Sequence, residues 1–114
     1  AVVAISSNDI STHPQDGPEH MTRFAQQYGF SFPYLYDETQ AIAKAYQATC
    51  TPDLYLFDAE HKLYYRGRFD NSTPGNGEPV TGDDLTVAVT AMLNDQPAPT
   101  TQLPSMGCNI KWQA

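Results

Sequence analysis

Two thiols are the most reactive side chains in this sequence. The first lies in Cys50-Thr51-Pro52-Asp53, between the end of a helix-like stretch and the apolar run Leu54-Tyr55-Leu56-Phe57. X-Pro bonds are the ones that reach the cis form at low cost, so the Thr51-Pro52 bond is open to it. A proline there turns the chain into the following strand while withholding an N–H, which frees the preceding backbone groups to meet a neighbouring cysteine or a substrate chain. An ordinary turn proline has the same local sequence, and both readings stand at this point. The second thiol, Cys108, lies in Met106-Gly107-Cys108-Asn109-Ile110-Lys111-Trp112 near the end. Two cysteines are too few for a disulfide-dense secreted scaffold and lack the paired spacing of a zinc site. A small secreted domain stapled by one Cys50 to Cys108 bridge is a weaker option, since such domains usually carry several bridges.

The other polar groups are less informative. His13, His20 and His61 lie apart in polar surroundings, with no two at ligand spacing on one element, so they read as solvated or capping residues, and no metal or cofactor is expected. Arg66, Arg68 and Asp70 alternate along one strand face and could reach a substrate, although charge on an edge strand makes the same pattern without function. The formal net charge is −7 with only six Lys and Arg, which leaves nucleic acid and anionic membranes nothing concentrated to bind. No apolar run approaches the roughly 20 residues of a membrane span, and no secretory signal pattern is visible. The reading is a soluble chain with the cytoplasm favoured and the oligomeric state open.

The elements that must position these thiols follow from apolar periodicity. Val2-Val3-Ala4-Ile5 reads as a buried parallel strand ended by Ser6-Ser7-Asn8-Asp9. Pro18 and Glu19 suit the first turn of a helix whose Met21, Phe24, Ala25 and Tyr28 fall on one face, with Gly29 ending it. Phe30 to Tyr36 is interrupted by Pro33 and reads as an extended connection or edge strand. Asp37-Glu38-Thr39-Gln40 has the form of a capping box before a helix from Glu38 to about Gln47. Leu54 to Phe57 and Leu63 to Tyr65 form a hairpin, with Gly67 as a candidate bulge. Asp70 to Pro79 is a surface loop, and Thr81-Gly82-Asp83-Asp84 starts a helix with the stripe Leu85, Ala88, Val89, Met92 and Leu93. Prolines 97, 99 and 104 make Gln96 to Ser105 extended.

A chain of 114 residues fits one domain. The expected division is a domain over 1–95 and an extended tail over 96–114 whose Met106, Ile110 and Trp112 dock back, bringing Cys108 toward the Cys50-Pro52 corner. Because an apolar run follows Ala1 at once, the chain is expected to be a piece of something longer.

The order strand, helix, helix, Thr-Pro, hairpin, helix resembles the later part of a thioredoxin fold. Val2 to Asp9, Thr49-Cys50-Thr51-Pro52-Asp53 with its strand, Arg66-Gly67-Arg68-Phe69 and the Gly107-Cys108-Asn109-Ile110-Lys111-Trp112 ending are similar to the peroxiredoxin-like branch of that superfamily. The resemblance implies an α/β fold, an incomplete thioredoxin-like one with its central strand and active-site helix absent, a mixed sheet flanked by helices and an extended C-terminal tail. It implies a fragment of a thiol-dependent oxidoreductase acting on peroxide, protein thiols or disulfides. Pro52 would be its cis-proline and Thr51 the neighbour presenting backbone to substrate. Cys50 and Cys108 would be resolving thiols for a primary nucleophile that lies outside the chain. The alternative is a redox-silent thioredoxin-like module that binds a partner through Thr51, Pro52 and the tail. In either case the opening strand and Leu54 to Phe57 are expected to run parallel, with Leu63 to Arg68 antiparallel beside the latter.

Overall fold

The computed structural model describes residues 1–114, a mixed α/β chain of short helices and two-stranded sheets. It divides into two compact units, Ala1–Thr49 with Ile110–Ala114, and Cys50–Asn109. No helix is long and apolar enough to cross a membrane.

In the first unit, β1 (Ala4–Ser6) pairs in parallel with β2 (Tyr34–Tyr36), placing Ile5 opposite Leu35. Leu54–Phe57, expected to run parallel to β1, does not pair with it and has the antiparallel partner expected for it, Leu63–Gly67, in the second unit. Pro33 explains how the connection becomes a strand. It lacks only its own N–H, its carbonyl accepts from Ala4 N–H at 3.0 Å, and the three β-formers after it complete the ladder. The opening apolar run is not buried as its sequence implies: Val2, Val3, Ile5 and Leu35 are all exposed, on surface that no element of this unit covers.

Helix α1 (Pro18–Gln27) begins on Pro18 and Glu19 as the sequence predicts, and the chain leaves it through Gly29 at φ 64°. Only Met21 of its apolar stripe is fully buried. Phe24 and Tyr28 lie outside and pack on each other, with ring centroids 4.6 Å apart, and Phe24, Phe32 and Tyr34 gather round Phe30. The stripe thus ends in a surface aromatic cluster. Between α1 and β2 an open cleft of about 430 Å³ is lined by Met21, Ala25, Phe30, Phe32, Tyr34 and Tyr36, and contains neither thiol.

The second helix is shorter than its sequence implies. Helix α2 is Ala41–Ala45, and Gln40 stands before it in the left-handed region at φ 64°. Asp37 does cap it, accepting from the N–H groups of Ile42 and Ala43 at 3.2 and 2.9 Å. Gln40 does not reach back as a capping-box residue would. It is 1% exposed, and its amide donates to the carbonyls of Ser7 and Lys111 and accepts from Gln113 N–H. Three backbone partners outcompete one cap bond, and the helix starts later in consequence. The chain's end completes the unit: Ile110 is buried and donates to Thr49 O, while Lys111 bonds Asp9 N–H and Asn8 Oδ1.

The second unit holds β3 (Cys50–Thr51), β4 (Leu54–Phe57), β5 (Leu63–Gly67), α3 (Asp83–Leu93) and β6 (Cys108–Asn109). The hairpin of β4 and β5 forms as read, antiparallel, with Leu56 opposite Tyr65. Its irregularity falls at Leu56/Phe57 and not at Gly67. Gly67 answers a different need. A Cβ there would overlap the carbonyl oxygen of Leu103 and stand 3.0 Å from the Tyr65 hydroxyl, so only glycine lets the tail lie this close.

That tail is the main surprise of this unit. The stretch after α3 runs along the free edge of β5 and satisfies it. Gln102 Oε1 accepts from Arg66 N–H, Gln102 Nε2 donates to Tyr64 O, and Leu103 O accepts from Arg68 N–H. Prolines 97, 99 and 104 cannot donate to a ladder, so a side-chain amide supplies what a regular strand would. Helix α3 packs on β5 through the fully buried Ala88, whereas Leu93, expected inward, is exposed in the last turn.

Arg66, Arg68 and Asp70 do not form one substrate-facing row. Strand β5 ends at Gly67, Arg66 pairs with Asp53, and Arg68 pairs with Asp84 of α3. Asp70 is buried and organises its loop, accepting from the N–H groups of Gly82, Thr81 and Ser72 and from the Ser72 hydroxyl. The Gly82 N–H and those other donors hold its carboxyl far below the usual carboxylate range.

Candidate functional site

Cys50, Thr51, Pro52 and Cys108 come together in the second unit. The Thr51-Pro52 peptide bond is cis. Pro52 ends β3 and aims the chain into β4, while Thr51 and Cys50 pair antiparallel with β6, Cys50 opposite Asn109 and Thr51 opposite Cys108.

That register decides what the two thiols can do to each other. Residues directly opposite share a face of an antiparallel ladder, and consecutive residues alternate. Cys50 shares a face with Asn109, and Cys108 shares the other face with Thr51. The two thiols therefore point to opposite sides, they are not joined in a disulfide, and a bridge between them requires the ladder to open. The tail does bring Cys108 to the Cys50-Pro52 corner. Of its expected anchors only Ile110 is buried, with Met106 and Trp112 each 42% exposed. Trp112 finds a partial partner in Lys44, whose ammonium stands 5.9 Å from the ring centre.

The environments of the thiols differ as well. Cys108 is exposed. Cys50 is half-buried, its sulfur 3.6 Å from the carbonyl of Ser105 and 4.0 Å from that of Pro52. A thiol lodged against two carbonyls meets solvent less readily than one on an open strand.

A polar cluster that the sequence reading missed fixes this corner. Asp53, directly after Pro52, has a nearly buried carboxylate that accepts from Arg66 Nη2 at 3.2 Å and from the Tyr55 hydroxyl at 3.2 Å. Ser105 Oγ lies 3.1 Å from Asp53 Oδ1 and 2.8 Å from Gly67 O, so its one proton is shared between them. The Arg66 guanidinium also stands over the Tyr55 ring, 5.0 Å from its centre. Burial, followed by the Asp53 charge, pushes the Tyr55 phenol upward, which keeps it a neutral donor. The available hint was a carboxylate at the head of an otherwise apolar strand, opposite a strand carrying Arg66. A buried charge needs a partner, and here it has one.

The three histidines have separate local surroundings. His13 meets the Thr12 hydroxyl at 2.8 Å, His61 sits in the β4–β5 turn at φ 62°, and His20 is exposed on α1. No group of three or more His, Cys, Asp or Glu side chains converges as a metal site would require.

Residues 1–66 match the AhpC/TSA family. The whole chain superposes on the crystal structure of a hypothetical protein, SMc02350, from Sinorhizobium meliloti 1021, with TM-score 0.96 and 53% identity over 62% of that protein. A second similar structure, an uncharacterized conserved protein from Geobacillus kaustophilus, aligns over 97% of this chain and 59% of its own with TM-score 0.93 and 54% identity. The chain thus spans about three-fifths of the length of these two relatives. No curated protein matches.

Proposed function

Because the chain belongs to the AhpC/TSA family, we propose that it is part of a thiol-dependent oxidoreductase with a thioredoxin-like fold, whose central strand and active-site helix lie outside the sequence. The observation that carries this reading is the corner itself, in which Thr51 and the cis Pro52 face a strand that holds an exposed thiol, Cys108, directly opposite Thr51.

A thiol protein of this kind works in two displacements. An attacking thiolate forms a bond to one sulfur of a substrate disulfide, and the other sulfur leaves as a thiolate and takes up a proton. A second thiolate then displaces the substrate sulfur from that mixed disulfide, leaving the protein oxidised and the substrate reduced. With a peroxide the first product is a sulfenic acid and the second step expels water. In this chain neither cysteine lies at a helix N-terminus, where the dipole would favour a thiolate, and the second role suits them both. Cys108 is the better placed of the two, being exposed, whereas Cys50 meets the Ser105 carbonyl. Thr51 and Pro52 would present backbone to the substrate chain.

A redox-silent reading of the same surface also has an observation in its favour, since the two thiols face opposite sides of the ladder and do not form a dithiol pair. Turnover separates the two. The 114-residue chain is expected to reduce neither insulin disulfides nor hydrogen peroxide with dithiothreitol as reductant, while the complete protein encoded by the gene does. A rate in the isolated chain that disappears with Cys50→Ser would overturn this assignment of roles, and an inactive complete protein would favour the silent module.

A further inference from the structure

The cleft of the first unit has no part in the thiol chemistry. One wall is the segment from Phe30 to Tyr36, whose Phe30, Phe32, Tyr34 and Tyr36 alternate with exposed residues and so share one face. Phe30 ties this row together, stacked on Phe32 with ring centres 4.6 Å apart and tilted on Tyr34 at 5.5 Å. The other wall is α1, where Met21, Thr22, Ala25 and Gln26 recur at the spacing of one helix face. The result is a groove with one flat aromatic side. No charged side chain lines it, in a chain whose net charge is −7. Three polar groups of the lining residues have no hydrogen bond within the protein, the Tyr34 and Tyr36 hydroxyls and the Gln26 carboxamide. The Thr22 hydroxyl, by contrast, already donates to Pro18 O at 3.0 Å.

We propose that this cleft receives a proline-rich segment of a partner protein in the polyproline II conformation. Its open form argues against a small molecule. Among the lining residues only Met21 is buried, so a small ligand would stay largely in water, whereas small-molecule sites cover roughly 70–90% of their ligand's surface. A chain that crosses the groove keeps one side in water in any case. Proline answers each feature of the walls. Its ring packs on flat aromatic faces, and it brings no charge to a lining that has none. Its carbonyl, without an internal partner in polyproline II, accepts from phenol hydroxyls and carboxamide N–H groups. The lengths agree as well. Phe30 to Tyr36 spans up to about 20 Å at about 3.3 Å per residue, which about six polyproline II residues match. A net charge of −7 around a neutral groove selects against ligands with acidic flanks. This inference goes beyond the redox reading, because neither thiol lines the cleft.

The test uses the complete protein encoded by the gene and fluorescein-labelled decaproline, followed by anisotropy, with a labelled Gly-Ser repeat peptide of the same length as the flexible control. Decaproline is expected to bind and the control is not. Tyr34→Phe and Gln26→Ala should each weaken binding about fivefold, the factor that corresponds to one neutral hydrogen bond. Both substitutions leave the row of rings intact at positions that are half-buried or exposed, so they change the groove without disturbing the fold. Phe32→Ala, which removes a ring from the wall, should abolish binding. Amide NMR shifts on titration should fall on α1 and on residues 30–36. Absence of decaproline binding, whether the cleft is bare or covered by another segment or a second copy, would overturn the proposal. Equal binding of the control, undiminished affinity in both Tyr34→Phe and Gln26→Ala, or shifts confined to the second unit would each overturn it too. Decaproline carries no sulfur, so its binding stands or falls separately from any redox activity.

Discussion

Asp70 is the residue whose chemistry reaches furthest into stability. Four donors converge on its carboxylate, so its folded pKa lies below the ordinary value of about 3.9. A lowered pKa means that the folded state holds the ionised form more strongly than the unfolded chain does. The contribution is complete above about pH 4 and is lost as pH falls from there toward the folded value. Asp70→Asn is therefore expected to have a lower urea midpoint than wild type at pH 6, with the gap narrowing at pH 3. A gap unchanged between the two pH values would contradict the linkage. Asp9 and Asp37 lose stability in the same direction. Asp9 is held down by the Ser11 N–H, and Asp37 by the Ala43, Ser7 and Ile42 donors against the opposing effect of its burial. Comparison with the variant isolates the share of Asp70. At this scale the sequence was legible for Cys50, Thr51, Pro52 and Cys108, because thiols and prolines advertise their chemistry locally. Gln40 and Asp53 were not. Each looks like an ordinary surface residue until a distant segment, the chain's end for Gln40 and Ser105 for Asp53, supplies its partners.

Among the elements, those with strong local signals formed where the sequence placed them: α1 on its Pro-Glu start, the β4–β5 hairpin, and α3. Partnership between elements was harder to read. Strand β1 took β2 as its neighbour, because hydrophobic pattern specifies that a strand is buried or paired but not with which strand. The stretch Gln96 to Ser105 read as extended and gave no sign that Gln102 and Leu103 would serve as a surrogate strand for β5. Gly67 is where that arrangement is most exposed to test. In Gly67→Ala the new methyl group meets the Leu103 carbonyl, and either the tail lifts or β5 bends. The expected cost is about 1–3 kcal/mol in chemical denaturation, as for other overpacked positions, with faster amide exchange at Arg68. A variant as stable as wild type, with Arg68 equally protected, would show that the tail lies less tightly against β5 than its geometry implies.

For the whole molecule, the mixed α/β class and the AhpC/TSA family were legible, the family through the opening strand and the Cys-Thr-Pro-Asp stretch, which both lie within the matched residues 1–66. This sequence covers about three-fifths of the length of two similar structures, and the thiol roles belong to the proposal above. The register of β3 and β6 still narrows those roles. Cys108 is exposed opposite Thr51, and Cys50 is turned to the other face against Ser105, so the proposal gives Cys108 a third thiol or substrate as its partner and not Cys50. The central claim is that this corner takes part in thiol exchange through Cys108. The most direct test is the steady-state rate at which the complete protein reduces a disulfide substrate, measured for wild type and for Cys108→Ser. The account predicts that the variant folds normally and loses most of its rate; an unchanged rate in Cys108→Ser would contradict it.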